Sequence, residues 1–228
     1  MGELQLSTLK DILFSIRKAT KPRAETTDGE YGPVWGQRDG SIVTMPWHTA
    51  MSLEGRVYNI SHASPDTKMT GATAYDATHP GICVVAPAGT VMIPVFLNVT
   101  CEDMAGTDNH VTIVTDAGDL YSSGGTAVSA ATNLRTDAPN GSAVVSKYCS
   151  DSAITVTDPG TGETNLYTYV NAFADATTSP PVVVNWEPKC PPILVGPATF
   201  LVYTYGASTA CEFGFSFQYI ELPSSRVV

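Results

Sequence analysis

The sequence of 228 residues contains little charge, and most of that charge has one sign. Charged residues make up only 15% of the chain, and 12 Lys and Arg stand against 22 Asp and Glu, for a net charge of −10. Nucleic-acid binding depends on basic surfaces, so this balance argues against a nucleic-acid partner for most of the chain. We therefore expect no sequence-specific nucleic-acid binding.

Long apolar runs are also lacking. No stretch approaches the roughly 18–20 apolar residues of a membrane span. Glu3 and Asp11 interrupt the N-terminus, and no apolar run follows them as a secretory signal would require. The sequence therefore predicts neither a membrane span nor secretion.

The cysteines are few and scattered. There are five, an odd number, and no two form a C-x-x-C motif. Cys83 and Cys101 lie within apolar β patterns, which favours buried reduced thiols over a disulfide or a metal site. The other three are Cys149, Cys190 and Cys211.

Signatures of catalysis are absent as well. The four histidines form no close pair of metal-binding spacing; they are His48, His62, His79 and His110. Residues 206–210 miss the last glycine of a G-x-S-x-G nucleophile elbow at Ser208. Gly160-Thr161-Gly162 is followed by Glu163 instead of the Lys of a phosphate-binding loop, and we interpret it as a hairpin turn. The sequence predicts no enzyme, and no catalytic, cofactor-binding or metal-binding residues.

Acidic residues cluster in two places, namely at Glu102, Asp103 and Asp108 and at Asp116 and Asp119. We interpret them as solvated turn residues because their spacing differs from that of an EF-hand loop. A calcium ion needs six to eight oxygen ligands, and carboxylates from several loops could supply them. Whether the acidic loops bind Ca²⁺ is left open by the sequence.

The first 25 residues differ from the rest of the chain. They carry five basic and three acidic side chains, a net charge of +2, whereas the remainder carries seven basic and nineteen acidic ones, a net charge of −12. Leu6, Leu9, Leu13 and Ile16 form one apolar stripe at helical spacing. We predict a short amphipathic, basic helix in an arm of residues 1–25, followed by a linker of residues 26–41. So short a helix is marginal in water and needs a docking surface, which is the protein's own body, a neighbouring subunit or a membrane.

From residue 42 onward the apolar pattern has period two. It predicts a single antiparallel, all-β domain over residues 42–228, of the jelly-roll or sandwich kind. Pro94 inside the long strand 91–101 predicts an edge position or a bulge. Phe213, Phe215, Phe217 and Tyr219 share one strand face and are predicted to be core. The predicted strands are 42–47, 56–61, 82–86, 91–101, 110–115, 143–149, 153–157, 165–173, 181–186, 193–195, 199–206 and 211–222, and residues 62–81 and 116–142 are predicted to be long loops.

A Pro-Gly turn feeding a long β run at 83–103 and a closing strand pair at 192–225 are the most distinctive parts of this layout. The layout resembles the single jelly-roll major capsid proteins of icosahedral, internal-membrane-containing double-stranded DNA viruses of prokaryotes. The resemblance implies an eight-stranded sandwich whose copies associate into symmetric capsomers. It also implies a virion protein, here of a bacteriophage, that is assembled in the host cytoplasm with other virion proteins as partners. It carries no functional residue with it.

Two alternatives stay open. One is a β-sandwich module that binds a receptor or carbohydrate or decorates a capsid, with exposed aromatic side chains lining a groove at the loop end. The aromatic candidates are Trp35, Trp47, Tyr75, Tyr121 and Trp186. The other is a trimeric ligand like C1q or TNF, which shares the sandwich.

Overall fold

The structure is a computed structural model that describes residues 16–17, 34–35, 46–62, 68–103, 108–128, 131–149, 153–172, 183–206 and 211–226. The chain divides into two compact units, Met1–Gly55 and Arg56–Val228. Most of the predicted arm 1–25 and linker 26–41 lies outside the described residues.

The described part of the first unit contains one helix and one strand pair. Helix α1 (Trp47–Leu53) follows Pro46, whose fixed φ suits a helix start. It ends before Gly55, whose φ of 70° is the left-handed conformation that closes many helices. Strand β1 (Ile16–Arg17) pairs in parallel with β2 (Val34–Trp35).

Two predictions for this unit are wrong at described positions. Ile16 and Arg17, the predicted end of the N-terminal helix, are in a strand. Pairing with another segment satisfies backbone groups that the end of a short helix leaves open. The predicted strand 42–47 is contradicted at Trp47, which begins α1. Pro46 before this segment and Gly55 after it are helix boundary signals that the period-two pattern concealed.

The second unit is built from strands. They are β3 (Val57–Ser61), β4 (Met69–Thr70), β5 (Ile82–Ala86), β6 (Thr90–Asp103), β7 (Asp108–Asp116), β8 (Tyr121–Gly124), β9 (Thr126–Ala127), β10 (Thr132–Asn133), β11 (Val145–Tyr148), β12 (Ile154–Val156), β13 (Thr164–Ala172), β14 (Val183–Trp186), β15 (Leu194–Val195), β16 (Ala198–Gly206) and β17 (Glu212–Pro223). Short 3-10 helices span Gly160–Gly162 and Ser224–Arg226.

Thirteen of these strands make two antiparallel sheets, and eight of the thirteen, four in each sheet, form the central order. One has the order β3-β17-β6-β14, with β10 beside β3, β4 on β17 and β15 on β6; the other has the order β13-β7-β16-β5, followed by β11 and β9. Numbered from one to eight along the chain, the eight strands stand in the orders 1-8-3-6 and 5-4-7-2. The prediction of an antiparallel all-β fold is confirmed.

The two sheets pack face to face through aromatic side chains. Phe217 of β17 stacks on Phe200 of β16 with ring centroids 4.9 Å apart, and Trp186 of β14 lies 5.7 Å from the same ring. The ring centroids of Phe215 and of Tyr148 on β11 lie 5.8 Å apart. All of these rings are buried, and the predicted aromatic stripe of β17 is confirmed as core.

Pro94 lies at a position of β6 where the strand can accommodate a proline. Phe96 pairs with Gln218 and Pro94 with Tyr219, so Val95 is an extra residue in a bulge. On the other edge of β6, β15 pairs with residues 91–92 and β14 with residues 97–100, so neither reaches Pro94. Proline therefore lies at a bulge, where a missing N–H is tolerated, and the predicted bulge is confirmed.

The outer face of β16 is covered by the protein's own chain. The Oγ1 atom of Thr199 donates to the carbonyl of Gly118 and accepts from the N–H of Leu120. The hydroxyl of Tyr203, also on the outer face, donates to the carbonyl of Ala77 at 2.8 Å. Segments 75–80, 117–124 and 153–158 form this cover, in which β8 pairs with β12. The cover buries β16 on both faces.

Most predicted strands coincide with observed ones, and 82–86 matches β5 at both ends. The differences lie in the predicted loops. Residues 62–81 contain β4, and residues 116–142 contain β8, β9 and β10. These strands have two to four residues, too few for an alternation to be visible in sequence.

Candidate functional site

The outer face of the first sheet carries a row of uncharged polar side chains. The amide of Asn98 on β6 donates to Oδ1 of Asn185 on β14 at 2.8 Å, and Thr100 donates to Asn98 at 3.1 Å. Ser216 on β17 donates to Oδ1 of Asn59 on β3 at 2.9 Å. We call these five residues the neutral ladder. It crosses all four strands, and it can hydrogen-bond to another surface without like-charge repulsion.

Some of the exposed aliphatic side chains lie at sheet edges, although Val145 on the inner strand β11 is exposed as well. Val170 on the edge strand β13 is 54% exposed, and Val183 on the edge strand β14 is 49% exposed. Ile193, just before β15, and Val195 on β15 are 56% and 49% exposed. Single exposed apolar residues are common, but here they recur on the strands that end each sheet.

An aromatic cluster lies on the outer side of the second sheet. Tyr75 contacts Tyr203 at 5.0 Å and Tyr205 at 5.6 Å between ring centroids, and Tyr205 stacks on His110 at 4.6 Å. Burial, followed by the negative charge of Glu163, raises the pKa of Tyr75. Its hydroxyl therefore stays protonated at neutral pH and is hydrogen-bonded to Glu163. Such a cluster offers ring faces and an acidic edge, a combination suited to sugars or organic cations.

A cavity of about 260 Å³ lies between residues 70–72, 79–81, 149, 153–154 and 204. The thiol of Cys149 donates to the carbonyl of Thr70 at 3.1 Å, and burial raises its pKa to about 11. It is therefore a protonated thiol at neutral pH and a poor nucleophile. Among the described residues that line the cavity, none is an activated nucleophile.

His79 lines this cavity and is held by an acidic turn. The carboxylate of Asp76 accepts from the hydroxyl and N–H of Thr78 at 2.6 and 2.8 Å, and its other oxygen lies 2.9 Å from Nδ1 of His79. The hydrogen bonds from Thr78, with help from His79, lower the pKa of Asp76 to about 2. All three residues lie within four consecutive positions of one turn, so these hydrogen bonds stabilise the turn itself.

The other three histidines do not line this cavity. His48 lies exposed on α1, and Nδ1 of His62 accepts from the N–H of Phe215 at 3.2 Å. His110 stacks on Tyr205 as described above. Within the described part of the chain, no group of three or more His, Cys, Asp or Glu residues is placed to hold a metal ion.

The remaining sequence motifs lie in turns, at a strand end or outside the described residues. Gly160–Gly162 forms a 3-10 turn in which Asp158 accepts from the N–H of Gly160. It joins β12 to β13, which do not pair with each other, so the hairpin interpretation is wrong although the turn is real. Ser208 lies outside the described residues, as do the side chains of Glu102, Asp103 and Asp108. Asp116 ends β7, and Asp119 accepts from the N–H of Tyr121 at 3.1 Å.

The aromatic residues predicted to line one groove are placed differently from one another. Tyr75 is exposed, Tyr121 is half-buried, and Trp186 is 7% exposed in the core. Trp186 therefore cannot line a groove, because it fills the space between the sheets. Trp47 is exposed on α1 in the first unit. The side chain of Trp35 lies outside the described residues.

The cysteines are thiols. Cys83 and Cys101 are buried, as predicted, and so are Cys149 and Cys211, whereas Cys190 is exposed. Burial raises the pKa of Cys83 to about 12, which keeps its thiol protonated.

Sequence reasoning missed the neutral ladder. The alternate positions of β6 and β17 were visible as polar, but only the strand register places Asn98 opposite both Ser216 and Asn185. Among the described residues, no helix is long and apolar enough to cross a membrane. No protein-family model matches this chain, and no curated protein matches its sequence.

Proposed function

We propose that this protein is a structural subunit that assembles with copies of itself into a virion shell, and that its sandwich is a jelly roll. The order 1-8-3-6 and 5-4-7-2 supports the jelly roll, because it places consecutive strands in opposite sheets except for strands 4 and 5, which pair within one sheet. A fold alone does not define a function, so the proposal depends on the chemistry of the surface.

The observation that carries the proposal is the absence of charge from the surfaces a neighbour would meet. The chain has a net charge of −10, so copies of it repel one another at long range. Strands β3, β13 and β14 nevertheless contain no charged residue, and the neutral ladder runs across strands β3, β17, β6 and β14 on the outer face of the first sheet. Large subunit interfaces need surfaces that lose water without burying unpaired charge.

The other parts of the proposal come from the sequence. The partners are copies of this chain and other virion proteins in a bacteriophage particle built in the host cytoplasm. Residues 1–25 would contact a membrane or a neighbouring subunit. We also propose that the protein is not an enzyme and does not bind nucleic acid sequence-specifically.

Sedimentation velocity at rising protein concentration, followed by electron microscopy, tests the proposal. We expect the sedimentation coefficient to grow with concentration and closed or symmetric particles to appear in the images. A protein that stays monomeric at the highest soluble concentration would refute the proposal. A trimer that does not grow further would instead favour a C1q- or TNF-like ligand.

A ligand-binding module is the second candidate, and the Tyr75 cluster is the observation that favours it. Ring faces beside Glu163 would bind a sugar by stacking and hydrogen bonding. A glycan array with the wild type and with Tyr75→Ala tests this function. Binding that is lost in Tyr75→Ala but kept in Tyr121→Ala would support it, whereas an array without binding would exclude glycans as the ligand.

A further inference from the structure

Strand β13 (Thr164–Ala172) has an edge that invites pairing. It is the last strand of its sheet, and within the described residues only β7 pairs with it. Its nine residues include no charged residue and no proline. Native edge strands usually carry such residues to block pairing with another chain. The side chains of Thr168 and Val170 are exposed.

The sequence of β13 is nearly the same in both directions. Residues 165–171 have Thr168 at the centre and residues of one kind at equal distances from it. The sequence is Asn165-Leu166-Tyr167-Thr168-Tyr169-Val170-Asn171. An antiparallel pair of two such strands, related by a two-fold axis at Thr168, would place each residue opposite one of its own kind. Aromatic, aliphatic and Thr–Thr pairs are the cross-strand pairs that stabilise sheets.

We propose that β13 pairs antiparallel with β13 of a second copy, so that two sheets become one across a two-fold axis. This inference rests on the proposed function, since it names the element that joins two subunits. The two-fold palindrome favours a second copy over an unrelated strand, because a contact between identical surfaces must be self-complementary. The absence of charge in β13 removes like-charge repulsion where these strands of two acidic chains would meet.

The strand geometry defines where the pairing is strongest. A register shift between Asn165 and Tyr167 makes Leu166 a bulge on the β7 side. Bulges twist an edge strand, so the regular part of the shared ladder is centred on residues 167–169. Tyr167 and Tyr169 pack partly against the core, which holds this part of the strand in place.

A charge-swap experiment at the axis tests the inference. Because Thr168 would face itself, Thr168→Lys places two positive charges opposite each other, and Thr168→Glu places two negative charges there. We expect each variant alone to weaken self-association by at least about tenfold in sedimentation velocity. An equimolar mixture should recover association as mixed pairs, detected by native mass spectrometry.

Val170→Lys and Val145→Lys form the matched control. Both are exposed valines in the same sheet, at 54% and 47%, but Val145 is on β11, which pairs on both edges. Only Val170→Lys should weaken association. If the wild type associates and the Thr168 variants do so equally well, alone or mixed, the β13 inference is wrong while the proposed function stands. A wild type that never associates would overturn both.

Discussion

Two buried threonines on one strand should respond to the same substitution in opposite directions. Thr199 and Thr204 both lie on β16 and are 0% and 3% exposed. The hydroxyl of Thr199 donates to the carbonyl of Gly118 at 2.5 Å and accepts from the N–H of Leu120 at 3.1 Å. Within the described part of the chain, Oγ1 of Thr204 has no hydrogen-bond partner. Valine has nearly the shape of threonine without the hydroxyl.

The expected free energies follow from these contacts. Thr199→Val removes two hydrogen bonds and leaves two backbone groups without that partner, which should cost about 2 kcal/mol. Thr204→Val removes a hydroxyl whose burial without a partner costs roughly 1–3 kcal/mol, so we expect a gain of about 1 kcal/mol. For a chain of this size, 1 kcal/mol moves the melting temperature by about 2–4 °C.

Urea unfolding followed by tryptophan fluorescence measures both variants, since Trp186 is buried between the sheets. The protein concentration must be held constant, because self-association would stabilise the folded state. We expect the two unfolding midpoints to lie on opposite sides of the wild type. If Thr204→Val destabilises the protein as much as Thr199→Val does, the reasoning from hydrogen-bond satisfaction is refuted.

Three further outcomes are expected. Phe217→Ala, which empties a fully buried site between the sheets, should cost about 3–5 kcal/mol of unfolding free energy in urea. Gly124→Ala should lower the melting temperature, because φ is 76° and a Cβ would lie 2.1 Å from a backbone oxygen; Gly141→Ala, with nothing within 4 Å, should leave it unchanged. Buried thiols with pKa near 12 and 11 at Cys83 and Cys149 stay protonated above pH 9, where unfolded thiols ionise, so stability should fall as pH rises from 9 toward 11. Replacing both cysteines with alanine should make the unfolding free energy, measured by urea titration, fall less steeply over this pH range. An equally steep fall would contradict the attribution of the pH dependence to these two thiols.

Much of the fold was predictable because the apolar alternation is strong where the sheets face each other. Strand β5, the aromatic face of β17 and the bulge at Pro94 followed from period, residue size and proline chemistry. Helix α1 was missed because its segment was interpreted as period two. Of the two strands in the cover, β12 was predicted at 153–157, whereas β8 was missed because a strand of four residues shows too little alternation.

The candidate surfaces were less predictable than the fold. The palindrome of β13 is present in the sequence, but the fact that β13 ends its sheet depends on pairings between residues far apart in the chain. The cluster around Tyr75 likewise joins residues from 75, 110, 163 and 203–205. Contacts between distant segments have no local signal, so neither surface could be predicted from spacing alone.

The cover over β16 has a consequence for how such a subunit could be arranged in a layer. On one broad side of the sandwich, the protein's own segments 75–80, 117–124 and 153–158 cover strand β16, whereas the other side presents the neutral ladder. The two sides are not interchangeable, so turning one subunit over would set unlike surfaces side by side. A layer in which all subunits have the same orientation would therefore have two faces that differ in chemistry. The structure of the single chain already determines which side forms which face.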